Sequence, residues 1–404
     1  MVDFRSNGVR KLKLAVLGGG INSAVGMAHK HAIELTQRYE VVAGCFSRHD
    51  DVNGQTAALY GIEEHRTYKD LVTMLAAEKS EVDVLLILTP TRQHTEQVVK
   101  AFEAGIPVIC EKALAGSIQE VHDIWRAGSD KSFLAVTFNY TGYPMVREAR
   151  DMVQRGLLGE LQQIHIEMPQ EGFLKLGRNG QPIRPQDWRL VDGPISTVSL
   201  DLGVHVHSLL KFLTGRTPID VCASGQSFGN FPGLTDNITA MVNCDGGFSC
   251  NMWYGKVALG ACNGLGFRLY GSNGSLEWLQ EFPENLKYAD RLGHRINIDR
   301  SSPDLNIANQ KRYERFKAGH PAGFIEAFAN YYEDIADALI ARLDGAVHVN
   351  ADYVLGLPAS LEGLELLDAV ERSRKNRSWI SLRPAAVSRD KSQDGATDLA
   401  TVSA

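Results

Sequence analysis

The chain has 404 residues, 44% hydrophobic and 22% charged, with 42 Lys and Arg against 48 Asp and Glu and a formal net charge of -6. That is the composition of a soluble globular chain long enough for more than one domain. The mild negative charge, spread without long like-sign runs, excludes a phosphate-backbone footprint and a basic membrane surface, so neither nucleic acid nor a bilayer is expected as a partner.

No apolar run approaches the length that spans a bilayer, and the start MVDFRSNGVRKLKLAVLGGG passes from a polar lead directly into a strand rather than a signal peptide. A cytoplasmic location is expected. The six cysteines, Cys45, Cys110, Cys222, Cys244, Cys250 and Cys262, show no CxxC pair and no zinc-type spacing, and are expected as buried thiols.

Residues 12–17 are an apolar run rich in β-formers that ends in Gly18-Gly19-Gly20; residues 24–39 have helical spacing and 41–46 are apolar again. A buried strand over 82–88 stops at Thr89-Pro90, a helix over 96–104 ends at Gly105, and a strand over 107–110 precedes Glu111-Lys112. A last strand over 133–138 leads to Asn139. This alternation predicts a parallel, doubly wound sheet, the Rossmann arrangement, over residues 11–138.

The pattern then changes. After a helix over 144–154 closed by the turn RGLLG, residues 161–168, 221–227, 237–244, 249–253 and 266–270 read as strands in antiparallel style, predicting an α+β domain over 139–383. Residues 171–195, rich in Gly, Pro and Arg, form a long aperiodic loop of the kind that is more often functional than idle. Amphipathic helices are predicted over 323–341 and 359–373, and residues 384–404 are polar and expected to be disordered.

The turn Gly18-Gly19-Gly20-Ile21-Asn22-Ser23 supplies a strand end, two glycines of the GxGxxG pattern and a helix start whose amides hold an anion, with Ser23 in place of the third glycine and Gly26 one turn on as its substitute. A glycine-rich turn without a ligand is the bland alternative, and the βαβ context favours a dinucleotide bound through Gly18, Gly20, Ile21 and Asn22. After the second strand comes Ser47-Arg48 rather than an acidic residue: the pair fits a 2′-phosphate, while Arg48 equally fits adenine stacking or a solvated surface position. The choice between NAD and NADP stays open. Thr89, Pro90, Thr91 and His94 lie at the carboxyl edge of the sheet on the cofactor side, His94 as a capping or packing residue rather than a catalytic one. Glu111-Lys112 emerges at the same edge, where the ammonium can reach a substrate oxygen beside a nicotinamide; a surface ion pair is the alternative.

Further on, Asp201-Leu202-Gly203-Val204-His205 precedes an apolar helical stretch, and a spacing of one turn sets Asp201 and His205 on one face, a carboxylate beside an imidazole. His205 with His207 as a metal pair lacks a third ligand, so no metal is expected.

Taken in order, LGGGINSAVGMAHKHAI, LTPTRQHTEQVVKAFEAGIPVICEKALA, TFNYTGYPMV, DWRL and DLGVHVHSLLKFLTG resemble the Gfo/Idh/MocA oxidoreductase family, a likeness running over residues 12–382. The resemblance implies a Rossmann domain followed by a domain with a large, mostly antiparallel sheet whose open face makes a homodimer or homotetramer. It also implies NAD(P)-linked oxidation or reduction of a secondary alcohol on a sugar, cyclitol or sugar derivative. On it, Lys112, Asp201 and His205 form the catalytic group and contact substrate. His205 takes the hydroxyl proton, Lys112 polarises the oxygen and Asp201 orients substrate or imidazole. Glu111, Asn139, Trp188 and Arg189 take positional roles beside the cofactor. His207 and Gln163 are candidate substrate contacts, with Lys256, Asn263 and His320 after them. Departures from the family pattern are Ala113 in place of proline, Ile195-Ser196-Thr197 in place of glycines, and Ser208 at an acidic position. The family also contains glycosidases that oxidise transiently with retained NAD, and the same fold serves as a non-catalytic sugar or dinucleotide sensor; the intact Lys112, Asp201 and His205 argue against the sensor.

Overall fold

The computed structural model describes residues 10–129, 132–346 and 350–382. The first unit alternates strand and helix: β1 (Leu12–Gly18), α1 (Gly26–Thr36), β2 (Tyr39–Cys45), α2 (Asp50–Tyr60), α3 (Leu71–Glu78), β3 (Val84–Leu88), α4 (Thr91–Glu103), β4 (Val108–Cys110), α5 (Ile118–Ala127) and β5 (Leu134–Val136). The strands pair in parallel in the order β2-β1-β3-β4-β5. β3 is buried at every position, as a strand covered by helices on both faces must be. The sheet order reverses direction at β1, so the ends of β1 and β3 leave a crevice at the carboxyl edge.

The second unit contains α6 (Pro144–Gln154), β6 (Leu161–Pro169), α7 (Val204–Thr214), β7 (Pro218–Gln226), β8 (Asn237–Cys244), β9 (Ser249–Gly255), β10 (Gly266–Gly271), β11 (Gly274–Leu279), β12 (Leu286–Asp290), β13 (Arg295–Ile298), α8 (Phe324–Leu343), α9 (Leu357–Asn376) and β14 (Ile380–Ser381). Nine strands form one sheet, β13-β12-β11-β10-β6-β9-β8-β7-β14. Within it β6 and β9 run parallel, an exception to the otherwise antiparallel pairing. Burial along β8 alternates strictly, one face against the core and the other open. Nine of the eleven residues of α7 are buried, because it lies between β6, α6 and α9. No described helix is long and apolar enough to cross a membrane.

The sequence pattern did not announce α2, α3, α5 or β11–β13. The long aperiodic segment holds one short 3-10 turn, Asp187–Leu190. Four cysteines are buried as expected, but Cys222 is only partly covered and Cys262 is exposed. The tail over 384–404 lies outside the described residues.

Candidate active site

β1 ends at Gly18, in register with Leu88 at the end of β3. Gly18 has φ +82°, and a Cβ there would stand 2.9 Å from the Leu88 carbonyl carbon, so only glycine lets the turn cross this edge. α1 starts at Gly26, where a Cβ would overlap the Gly19 carbonyl. Gly26 therefore supplies the close helix-to-turn approach that a third glycine normally gives. Ser23 fits the missing position as a cap, its Oγ accepting from the amides of Val25 at 3.3 Å and Gly26 at 3.2 Å.

The turn opens on a cleft of about 780 Å³. Its wall includes Gly18, Gly20, Asn22, Ser47, Arg48, Thr89, Pro90 and Thr91, and it closes on Glu111, Lys112, Trp188, Arg189 and Asp201. Its backbone-lined glycine end and polar walls suit a dinucleotide. Two residues expected there are elsewhere. Ile21 donates its amide to Thr56 Oγ1 at 3.1 Å and is absent from the wall. His94 is buried beneath it, its ring nitrogens 2.9 Å from the Ala113 carbonyl and 2.7 Å from that of Thr89, which ties the end of β3 to the segment carrying Lys112.

Beyond the cleft lies a smaller chamber of about 210 Å³ that shares Ala24, Val25, Glu111, Lys112, Arg189 and Asp201 with it. Asn139, Tyr140, Met168, Gln170, His205 and Lys256 complete much of its wall. Asp201 sits in a π-helical turn, Ser199–Gly203, that leads directly into α7, and this places its carboxylate beside Lys112 from the first unit. Nζ of Lys112 is 2.9 Å from Asp201 Oδ1. Arg189 Nε and Lys256 Nζ reach Oδ2 at 3.1 and 2.9 Å. Burial pushes the Asp201 carboxyl up, but the charges of Lys112, Lys256 and Arg189 outweigh it and hold the group well below the usual carboxylate range.

His205 is 4% exposed, with the Tyr140 ring edge-on at 4.7 Å. Its Nδ1 has no hydrogen-bond partner among the described residues. Burial first, then the Lys112 charge, push the imidazole down to about 3, against the weaker pull of Glu111 and Asp201. The ring is neutral at ordinary pH, with Nδ1 unpaired among the described residues. Asp201 thus serves three cations, and among the described residues no hydrogen bond joins it to the imidazole.

Glu111 lines the inner end of the cleft, bonded to Thr137 and 3.2 Å from His29 Nε2. Asn139 is buried, and its side-chain amide nitrogen has no partner among the described residues. Arg189 lies on the Trp188 ring at 4.3 Å, and both donate to Gln186, at 2.6 and 3.0 Å. That hydrogen bonding folds the aperiodic loop over the cleft.

The remaining substrate candidates are corrected. His207 follows His205 by two positions, so the helix turns it to another face, where its Nε2 meets Glu362 at 3.0 Å. Gln163 lies on the open face of β6, exposed; the strand's alternation sends Ile164, Ile166 and Met168 inward instead. Asn263 stands behind the chamber, holding Gln170 at 2.7 Å and the Tyr140 hydroxyl at 3.0 Å. His320 is exposed and outside the wall. Of the secondary candidates Lys256 reaches the site. Gln170, two residues past Met168, was not singled out by the sequence. Among the described residues no group of three His, Cys, Asp or Glu side chains is placed to hold a metal.

Residues 12–139 match the family described as oxidoreductases with an NAD-binding Rossmann fold, and residues 146–277 match the GFO/IDH/MocA C-terminal domain. The chain belongs to the Gfo/Idh/MocA oxidoreductase family. Its first unit is an NAD-binding Rossmann domain. It is 28% identical to the uncharacterized oxidoreductase YfiI of Bacillus subtilis, over 93% of this chain and 98% of that one. It is 23% identical to levoglucosan dehydrogenase of Pseudarthrobacter phenanthrenivorans, over 71% of this chain and 80% of that protein. The crystal structure of an inositol dehydrogenase homolog from Azotobacter vinelandii, complexed with NADH and myo-inositol, superposes with a TM-score of 0.82 at 26% identity, covering 92% of this chain and 98% of that one.

Proposed function

We propose that this oxidoreductase is an NAD(P)-linked dehydrogenase acting on a secondary alcohol of a sugar, cyclitol or sugar derivative. The carrying observation is that Lys112, Asp201 and His205, from two separate units, line one chamber at the inner end of the dinucleotide cleft. Relatives named for levoglucosan and inositol support the substrate class.

When bound, the nicotinamide exchanges a hydride with the carbon that carries the hydroxyl. Gly18, Gly20, Asn22, Ser47, Arg48, Thr89, Pro90 and Thr91 hold the dinucleotide, with Glu111, Asn139, Trp188 and Arg189 shaping its inner end. Lys112 has two acceptors on Asp201, its carbonyl and its Oδ1, which leaves one N–H for the substrate oxygen. The neutral His205 accepts the hydroxyl proton. Asp201 orients Lys112 rather than acting on the ring. The chain divides at residue 139, and a second copy covers the open face of the large sheet, where Met241 and Tyr270 are exposed.

The experiment is a panel of sugars, inositols and nucleotide sugars with NAD and with NADP, following absorbance of the reduced nicotinamide, in the native chain and in Lys112→Ala. Turnover in the native chain, lost in Lys112→Ala while dinucleotide binding persists, is the expected result. Normal turnover in Lys112→Ala, or none in the native chain, overturns the reading.

A further inference from the structure

The chamber wall carries unequal charge. Lys112, Arg189 and Lys256 are its cations, and Asp201 and Glu111 its carboxylates, an excess of one positive charge beside an uncharged His205. Glu111 is already engaged by Thr137 and His29, so Asp201 alone answers all three cations. Its two oxygens are shared, Oδ1 by Lys112 and Arg189 and Oδ2 by Arg189 and Lys256.

Lys256 is the cation whose presence the dehydrogenase chemistry does not explain. It follows the end of β9 and is only 6% exposed, with Nζ on Asp201 and, at 2.8 Å, on Gln170 Oε1. Those two partners leave one N–H in the chamber wall. Burial pulls its pKa down, Asp201 pulls it up, and Arg189 and Lys112 pull it down again. A buried ammonium is costly unless compensated, and the one carboxylate that Lys256 meets is shared with Lys112 and Arg189. An anionic ligand group would complete it.

We propose that Lys256 is a specificity-determining residue that, with Arg189, selects a polyol bearing one carboxylate, a uronate or aldonate, over its neutral counterpart. The proposal rests on the alcohol-dehydrogenase reading above. One negative charge on the ligand answers the excess of one among the side chains of the wall. The carboxylate accepts the free N–H of Lys256, and the hydroxyl to be oxidised faces Lys112 and His205.

The test compares kcat/KM of the full chain, with NAD and with NADP, for glucose against glucuronate and galactose against galacturonate, with glucose 6-phosphate as a third arm. The uronates are expected to exceed their neutral partners by about tenfold or more, the usual worth of a charge-assisted hydrogen bond. Lys256→Met should bring that ratio close to one, and Lys256→Arg should keep it. Where Lys256→Met does not fold, Lys256→Gln serves, and the native comparison needs no variant. A neutral sugar that matches or beats its uronate, a preference for the phosphate ester, or a ratio unchanged in Lys256→Met overturns the proposal while leaving the dehydrogenase reading in place. If no alcohol of any charge reduces either nucleotide, that reading falls and this proposal with it.

Discussion

Asp201 holds Lys112 by two separate oxygens, its Oδ1 at 2.9 Å and its backbone carbonyl at 3.1 Å, although the residues lie 89 positions apart. The lysine stands at the end of β4 and the aspartate just before α7, so this contact joins the Rossmann edge to the second unit at the chamber itself. The side-chain half of the contact pairs two charges and the backbone half pairs a charge with a carbonyl dipole, and a substitution separates them.

Asp201→Asn keeps the shape and the backbone acceptor but leaves three cations without their shared anion. Stability should fall by about 3 kcal/mol, as it does when a buried pair loses one member. The kcat/KM should fall about a hundredfold, because Lys112 loses its orientation. Urea melts and steady-state rates measure both; a variant of native stability would mean that the three cations do not depend on this carboxylate.

The His205 imidazole, held at about 3 by burial and then by Lys112, should not titrate between pH 5 and 8 in ring-proton NMR of the folded chain. Its effect on stability has a definite sign. An unfolded histidine takes a proton below about 6.5 and the folded one refuses it until about 3, so the unfolded state binds more protons between them and stability drops as pH falls. At pH 4.5, two units below the unfolded value, this contribution is about 3 kcal/mol. His205→Gln should therefore lose less stability than the native chain between pH 7 and 4.5. An equal loss in both would rule out the depressed value.

The parallel sheet and the glycine turn were legible because a strand, its glycine stop and the next helix are local features of ten or so residues. Elements with weaker local signal were not. α2 runs DDVNGQTAALY, with Asn and Gly in its first half, and β12 and β13 are strands of five and four residues, β13 being a mostly exposed edge. At the site, Lys112, Asp201 and His205 carried motif-level signal. Lys256 was named among several polar candidates without a motif to rank it, and Gln170 was not named, since the contact between them follows from the pairing of β6 with β9, a tertiary fact. Gln163 and His207 were misplaced for one shared reason, that a residue near the right element still faces whichever way its periodicity turns it.

Glu362 on α9 accepts from His207 and Lys211 of α7, at 3.0 and 2.8 Å. Burial raises its pKa, but these two partners win and bring it to about 2. Because the folded value is depressed, its contribution is complete above the unfolded value near 4.5 and is lost as pH falls toward 2. Glu362→Gln should cost about 1–2 kcal/mol at pH 7, after allowance for solvent screening, and progressively less below pH 4. Denaturant midpoints at pH 7 and pH 3 test this, and a pH-independent difference would contradict it.

Gly26→Ala places a methyl group on the Gly19 carbonyl, where backbone rather than a flexible side chain must move. Overpacking of this kind costs about 1–3 kcal/mol. Because the displaced atoms form the dinucleotide turn, the loss should appear chiefly as weaker NADH binding, read by fluorescence titration. Native affinity in the variant would show that the turn accommodates a Cβ.

Arg48 and Ser47 line the cleft wall past the end of β2. Past the end of β2, the amides of Phe46 and Ser47 are held by Asn53 Oδ1 at 2.8 and 3.4 Å, which sets Ser47 and Arg48 in the cleft wall. Asp70, the carboxylate in this part of the wall, caps α3 through the Thr73 amide at 2.8 Å and its hydroxyl at 3.0 Å. With that anion occupied and a guanidinium beside a serine hydroxyl, a 2′-phosphate gains a charge-assisted hydrogen bond that a 2′-hydroxyl does not. Arg48→Ala should raise the KM for NADP roughly tenfold and leave that for NAD within about twofold. An equal rise for both would instead assign Arg48 to the adenine ring, since stacking does not distinguish the two nucleotides.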